Sequence, residues 1–92
     1  MAHKTGDELR TELKQASKLI EVGAKYYHYK HPEDTYTVTG LVIIESDDSV
    51  GVLYSADYDR LKGITFLRPL DSFLDKVTLE DGTIVNRFNK VE

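Results

Sequence analysis

The period of the hydrophobic positions changes once along this chain, near Gly23. Before it, Leu9, Leu13, Ala16 and Ile20 recur at spacings of four, three and four, which is one stripe of a helix. Leu19 widens the stripe. Thr5-Gly6-Asp7-Glu8 opens it as a capping box, with Thr5 accepting from the Glu8 amide and Glu8 reaching back to the Thr5 amide. Gly23 stands where a C-terminal cap belongs. The pattern predicts an amphipathic helix from about Gly6 to about Glu21, with Arg10, Glu12, Lys14, Gln15 and Lys18 toward solvent. Such a helix is marginal alone in water. It is therefore expected to pack on the rest of the chain, or to join a second copy as a homo-oligomer.

After Gly23 the pattern alternates as strands do. Ala24–Lys30 reads as a first strand, and His31-Pro32-Glu33-Asp34 as a turn, because Pro32 fixes φ and donates no hydrogen bond. Thr35–Glu45 is a long β-branched strand. Tyr36, Val38, Val42 and Ile44 are expected on one face, and Thr37, Thr39, Leu41 and Ile43 on the other. Both faces turn apolar after Gly40, which suggests a bend there and a path through the core. Ser46–Ser49 is a polar hairpin loop. Val50–Tyr58 follows with Val52, Tyr54 and Ala56 on one face, then Ile64–Arg68, stopped by Pro69. Leu70–Lys76 fits a single helical turn. Val77–Leu79 and Thr83–Phe88 flank Asp81-Gly82, a two-residue hairpin signal. Short strands joined by tight turns predict a mainly β domain, a small SH3-like antiparallel barrel over residues 23–92 with residues 1–22 as a helical appendage. An OB-type barrel is the second choice, since it usually needs more chain.

Composition narrows the function classes. The chain has 92 residues, one domain's worth, and no room for a substrate domain beside a catalytic one. With no cysteine, thiolate metal sites, disulfides and cysteine nucleophiles are excluded. Net charge is −4. Residues 1–22 carry four acidic and four basic groups, so the other 12 acidic and 8 basic groups hold the whole excess. An acidic body repels phosphate backbones, which counts against nucleic acid as a partner. No apolar run approaches the roughly 18–20 residues of a membrane span. The start of the chain has no signal-peptide core, so a cytoplasmic location is expected.

Three stretches hold the candidate chemistry: Lys25-Tyr26-Tyr27-His28-Tyr29-Lys30, then Arg68-Pro69-Leu70-Asp71-Ser72-Phe73, then Arg87-Phe88. Strand alternation puts Tyr26, His28 and Lys30 on one side and Tyr27 and Tyr29 on the other. If Tyr27 and Tyr29 are core, the first three form an aromatic, imidazole and ammonium face. The competing reading is an amphipathic strand whose tyrosines half-bury their rings. Arg68 precedes proline and is therefore extended, placed to grip a carboxylate or phosphate with two prongs. It is equally placed to pair with Asp71 or Glu45, and Arg87 admits the same two readings.

From Val22 to Glu92 the chain resembles family 1653 of the bacterial domains of unknown function. The resemblance rests on His28-Tyr29-Lys30, Tyr36-Thr37-Val38, Val52-Leu53-Tyr54, Arg68-Pro69-Leu70-Asp71-Ser72-Phe73 and Arg87-Phe88. Members usually have glycine after the lysine, where His31 stands here. They commonly have tryptophan two residues before the arginine, where Phe66 stands here. The resemblance implies a fold and no activity.

The leading expectation is a non-enzymatic binding module for an extended peptide or a small anionic ligand. Its candidate site residues are Tyr26, His28, Lys30, Arg68, Tyr54 and Phe66. A single-stranded nucleic-acid module using the same rings is one alternative. A small-molecule enzyme is another, and would need His28 and an acid to converge beside Tyr54 and Phe66. The sequence carries no Ser/His/Asp signature and no phosphate loop, so neither catalytic residues nor a cofactor are expected. His28 and His31 with Glu33 or Asp34 lack a third fixed ligand, and Asp47-Asp48 and Asp57/Asp59 lack the calcium-loop pattern, so no metal is expected.

Overall fold

The computed structural model describes residues 3–91. Helix α1 (Gly6–Ala16) starts at the expected capping box. The Thr5 hydroxyl accepts from the Glu8 amide at 3.1 Å, and the Glu8 carboxylate accepts from the Thr5 amide at 2.9 Å. It stops a full turn before Glu21. The Ser17 hydroxyl donates to the Lys14 carbonyl at 2.6 Å, and the chain leaves the helix through tight turns. Gly23 caps no helix. Its φ of +93° turns the chain into the sheet, and its amide donates to the Val38 carbonyl at 2.8 Å. The exit is thus fixed by tertiary bonds, which helical periodicity does not encode.

The strands are β1 (Lys25–His28), β2 (Thr35–Ile44), β3 (Ser49–Ala56), β4 (Thr65–Pro69), β5 (Lys76–Thr78), β6 (Ile84–Asn86) and β7 (Phe88–Lys90). A 3-10 turn, Asp59–Leu61, precedes β4, and a four-residue helix α2 (Leu70–Phe73) follows it. Five strands form one antiparallel sheet in the order β4-β3-β2-β1-β7, and β5 and β6 form a separate hairpin. The architecture is mainly β with one long N-terminal helix, as the pattern predicts. No closed barrel is found among the described residues. Strands β4 and β7 remain the two edges, because the chain between them leaves the sheet to form α2 and the β5–β6 hairpin.

A bulge in β2 overturns half of the expected face assignment. Val38 pairs with Tyr54, but the next pair is Gly40 with Leu53, so Thr39 is an extra residue. Side chains of directly opposed residues share a face. Leu41 therefore lies beside Val52, and Ile43 beside Val50, on the same side as Tyr36 and Val38. Val42 and Ile44 move to the other side. The expectation for Val52, Tyr54 and Ala56 holds, since all three are buried.

The core lies on the Val38 side of the sheet. Tyr26, Val38, Val52, Tyr54 and Phe88 rise from it, and Ile20 and Phe73 cover them. Phe73 stacks on Phe88 with centroids 4.3 Å apart and planes at 2°. Thr83–Phe88 is not one strand: it breaks at Arg87, whose amide donates to the Asp75 carbonyl and whose carbonyl accepts from the Tyr29 amide. The hairpin loop has three residues rather than two. Leu79 pairs with Thr83 at 2.8 Å, and Gly82 takes the left-handed position at φ +88°.

His3 is held in place. Its Nδ1 lies 3.0 Å from the Asp48 carboxylate, which also accepts from the Lys4 amide at 2.9 Å. Asp48 sits buried at φ +58° in the β2–β3 hairpin, so the segment before α1 is tied to that hairpin. Among the described residues, no helix is long and apolar enough to cross a membrane.

Candidate functional site

Strand register brings four of the six candidate residues together. Tyr54 pairs with Phe66 and Val52 with Arg68, so Phe66 and Arg68 project on the core side of β4. On the far side of the sheet, His28 pairs with Phe88. His28, Tyr54, Phe66 and Arg68 line one cavity of about 210 Å3, joined by Tyr36, Leu61 and Phe88. Its walls thus run across the sheet from β4 to β7.

The other two candidates stand apart. Tyr26 is buried, and its hydroxyl accepts from the Glu21 amide at 3.0 Å while its ring meets Phe73 edge-on at 5.4 Å. The Tyr26–His28 face is therefore the inner face, the reverse of the arrangement in which Tyr27 and Tyr29 are core. Lys30 lies past the end of β1, exposed, with its ammonium 5.9 Å from the Tyr29 ring. Three lining residues were not among the candidates. Phe88 and Tyr36 belong to the motifs of the resemblance, which gave the signal. Leu61 had none, being a lone leucine in a turn.

Arg68 has no carboxylate partner: none of the ion pairs among the described residues includes it. The expected pairing with Asp71 or Glu45 is not made. Helix α2 turns the Ser72 hydroxyl toward Arg68 and leaves Asp71 exposed. Nη1 donates to that hydroxyl at 2.9 Å, Nε approaches the Tyr54 hydroxyl at 3.4 Å, and Cζ lies 5.3 Å from the centre of the Phe88 ring. The guanidinium is positioned by two neutral groups and an aromatic face. Arg87 differs, with Nη2 3.6 Å from Asp75, although its buried Nε finds no partner among the described residues.

His28 stands edge-on to Phe88 with centroids 5.2 Å apart. Its Nδ1 accepts from the Lys30 amide at 3.3 Å, so in the neutral ring the proton belongs on Nε2. Burial first, then the charge of Arg68, then those of Arg87, Lys30 and His31, hold its pKa below the ordinary value. The consequence has a definite sign. A depressed folded-state pKa contributes stability that is fully present above the unfolded value of about 6.5 and is lost as pH falls through the folded one. A ring-proton NMR titration is expected to give a midpoint below 6.5 for His28, moving upward in Arg68→Met. A midpoint at or above 6.5 in the unaltered protein contradicts this account. Tyr36 is also held neutral: burial and a 2.7 Å hydrogen bond with the Tyr58 hydroxyl raise its pKa far above the phenol range.

Among the described residues no carboxylate lines this cavity beside His28. His31, Glu33 and Asp34 do gather their ligand atoms within 4.8 Å of one another. His31 and Glu33 are exposed, Asp34 is half-buried and lies 3.7 Å from Arg60, and His28 is turned away into the cavity. A larger concavity of about 670 Å3 runs beside β7, walled by Leu19, Tyr26, Leu74 and Val91. Among the described residues its one charged wall residue, Lys90, is already bound to Glu21 at 2.7 Å. It offers area without a free charge, whereas the smaller cavity offers a free charge.

These features define a small open-sheet β protein with an aromatic cavity that holds one unpaired arginine. The chain belongs to the family described as "Protein of unknown function (DUF1653)", whose model matches residues 24–90. The chain is also similar to a solved structure, the crystal structure of a DUF1653 protein from Bordetella bronchiseptica. The two are 30% identical, and the alignment covers 75% of this chain and 85% of that one with a TM-score of 0.63. No curated protein matches the chain.

Proposed function

We propose that this domain is a non-enzymatic binding module for a small anionic ligand, held between Arg68 and His28 on an aromatic floor. The observation that carries the reading is Arg68, a half-buried guanidinium in a cavity with no acidic wall among the described residues. A partly desolvated guanidinium gains more from a counter-ion than a fully exposed one does. Here the hydrogen bonds come from Tyr54 and Ser72, and the counter-charge is the ligand's to supply. The Nε2–H of His28 adds a neutral donor. On this reading the five-stranded curl is of SH3-like type with its seam open between β4 and β7.

A small ligand suits the site better than a nucleic-acid strand. Stacking platforms for single strands present their rings to solvent. Tyr26 and Tyr54 are buried, and the net charge of −4 works against a polyanion.

The test is a titration of the isotope-labelled protein with sodium acetate and with inorganic phosphate at low ionic strength. At least one anion is expected to shift the side-chain resonances of Arg68 and His28 saturably. The reading fails if neither anion moves them, or if the shifts spread evenly over all surface arginines and lysines.

A further inference from the structure

We infer that the ligand is a monocarboxylate carried on a small flat apolar body, a benzoate-like acid, rather than an inorganic oxyanion. This inference rests on the reading of the cavity as an anion site and goes on to name the ligand class. The donor inventory comes first. A guanidinium has five N–H bonds. In Arg68, Nε is directed to Tyr54 and one bond of Nη1 to Ser72. Three remain on the two terminal nitrogens, a planar fork that matches the two oxygens of a carboxylate. His28 supplies one more N–H, because the Lys30 amide occupies its Nδ1.

Charge decides between oxyanions. Among the lining residues Arg68 alone carries a formal charge once His28 is neutral, and of the nearby cations Arg87 is paired with Asp75 and Lys30 is exposed to solvent. One positive charge balances a monoanion. A dianionic phosphate would keep uncompensated charge against aromatic walls, which is costly in a poorly hydrated site.

The rest of the lining is four aromatic rings and Leu61. Phe66 and Tyr54 stack with planes at 27°, Tyr36 stands edge-on to Tyr54, and Leu61 closes one side. Acetate would leave the half-buried Tyr36, Leu61 and Phe66 against water. A ring attached to the carboxylate would cover them, and ligand sites typically join such a wall to a few placed polar groups.

The experiment compares benzoate, acetate, inorganic phosphate and benzyl alcohol by NMR titration of the full chain. Benzoate is expected to bind at least ten-fold tighter than acetate or phosphate, and to shift Phe66 and Leu61 together with Arg68 and His28. Benzyl alcohol, which has the ring without the charge, is expected to bind at least ten-fold more weakly than benzoate. If acetate or phosphate binds at Arg68 as tightly as benzoate, the ligand class is wrong while the anion site stands. If no anion moves Arg68 or His28, both fall. If benzyl alcohol matches benzoate, the cavity is an apolar hole, and both fall as well.

Discussion

Phe73→Ala is expected to remove about 3–5 kcal/mol of stability, the usual cost of emptying a buried phenylalanine site. A domain of this length holds only about 5–14 kcal/mol in total, taking about 0.05–0.15 per residue. The variant should therefore sit near the edge of folding. The size of the effect follows from position. Phe73 is 2% exposed, stacks on Phe88 at 4.3 Å, and meets Tyr26 and Tyr54 edge-on at 5.4 and 5.6 Å. It belongs to a four-residue helix, which has no stability of its own. The ring anchors the helix, and the helix brings the ring. Phe73→Leu, which keeps most of the volume, should cost about 1 kcal/mol. Urea denaturation of the three proteins checks this. A loss below about 1.5 kcal/mol for the alanine variant would mean that other side chains collapse into the space, and that α2 does not hold the sheet covered.

Arg68→Met is expected to weaken binding of benzoate at least 30-fold, about 2 kcal/mol, with little change in the urea midpoint. Methionine retains the apolar stem that packs over Phe88 and removes the charge and the fork. The separation of the two effects is the informative part. A structural arginine in an ion pair would take stability with it, whereas Arg68 has no acidic partner among the described residues and leaves only the Tyr54 and Ser72 hydroxyls behind. Arg68→Lys should restore part of the binding through charge alone, since an ammonium lacks the planar two-pronged geometry. Isothermal titration paired with denaturation gives both numbers. Equal losses of affinity and stability would assign Arg68 to the scaffold.

Local features were legible in the sequence. The capping box at Thr5 and Glu8 depends on residues three apart and forms as read. The alternation of Val52, Tyr54 and Ala56 runs against Gly51, Leu53 and Ser55, two of them small or polar, and all three alternating residues are buried. From Leu41 to Ile44 every residue is apolar, so alternation carries no phase, and the bulge at Thr39 decided which two turn inward. The open seam between β4 and β7 depends on pairing between distant segments, which no period reports. The site divided in the same way. Phe66 and Arg68 share a parity that the short β4 preserves. Tyr26 and Tyr27 are equal in hydrophobicity, so only the sheet's neighbours determined that Tyr26 points inward and Tyr27 does not. Lys30 was lost because β1 ends at His28, two residues earlier than the tyrosine run suggests.

The extra residue at Thr39 also limits how this strand can change length over generations. It is the one residue of β2 that can be lost without changing a pair. With Thr39 gone, Gly40 would follow Val38 directly and still meet Leu53, so Leu41 and Ile43 would keep the core side in a strand of plain alternation. A single-residue insertion elsewhere in β2 has no such outlet, and would either add a second bulge or reverse the faces beyond it. Single-residue losses among descendants of this gene should therefore gather at Thr39 and leave the residues at Val50 and Val52 unchanged, while other length changes between Tyr36 and Ile44 should come in even steps.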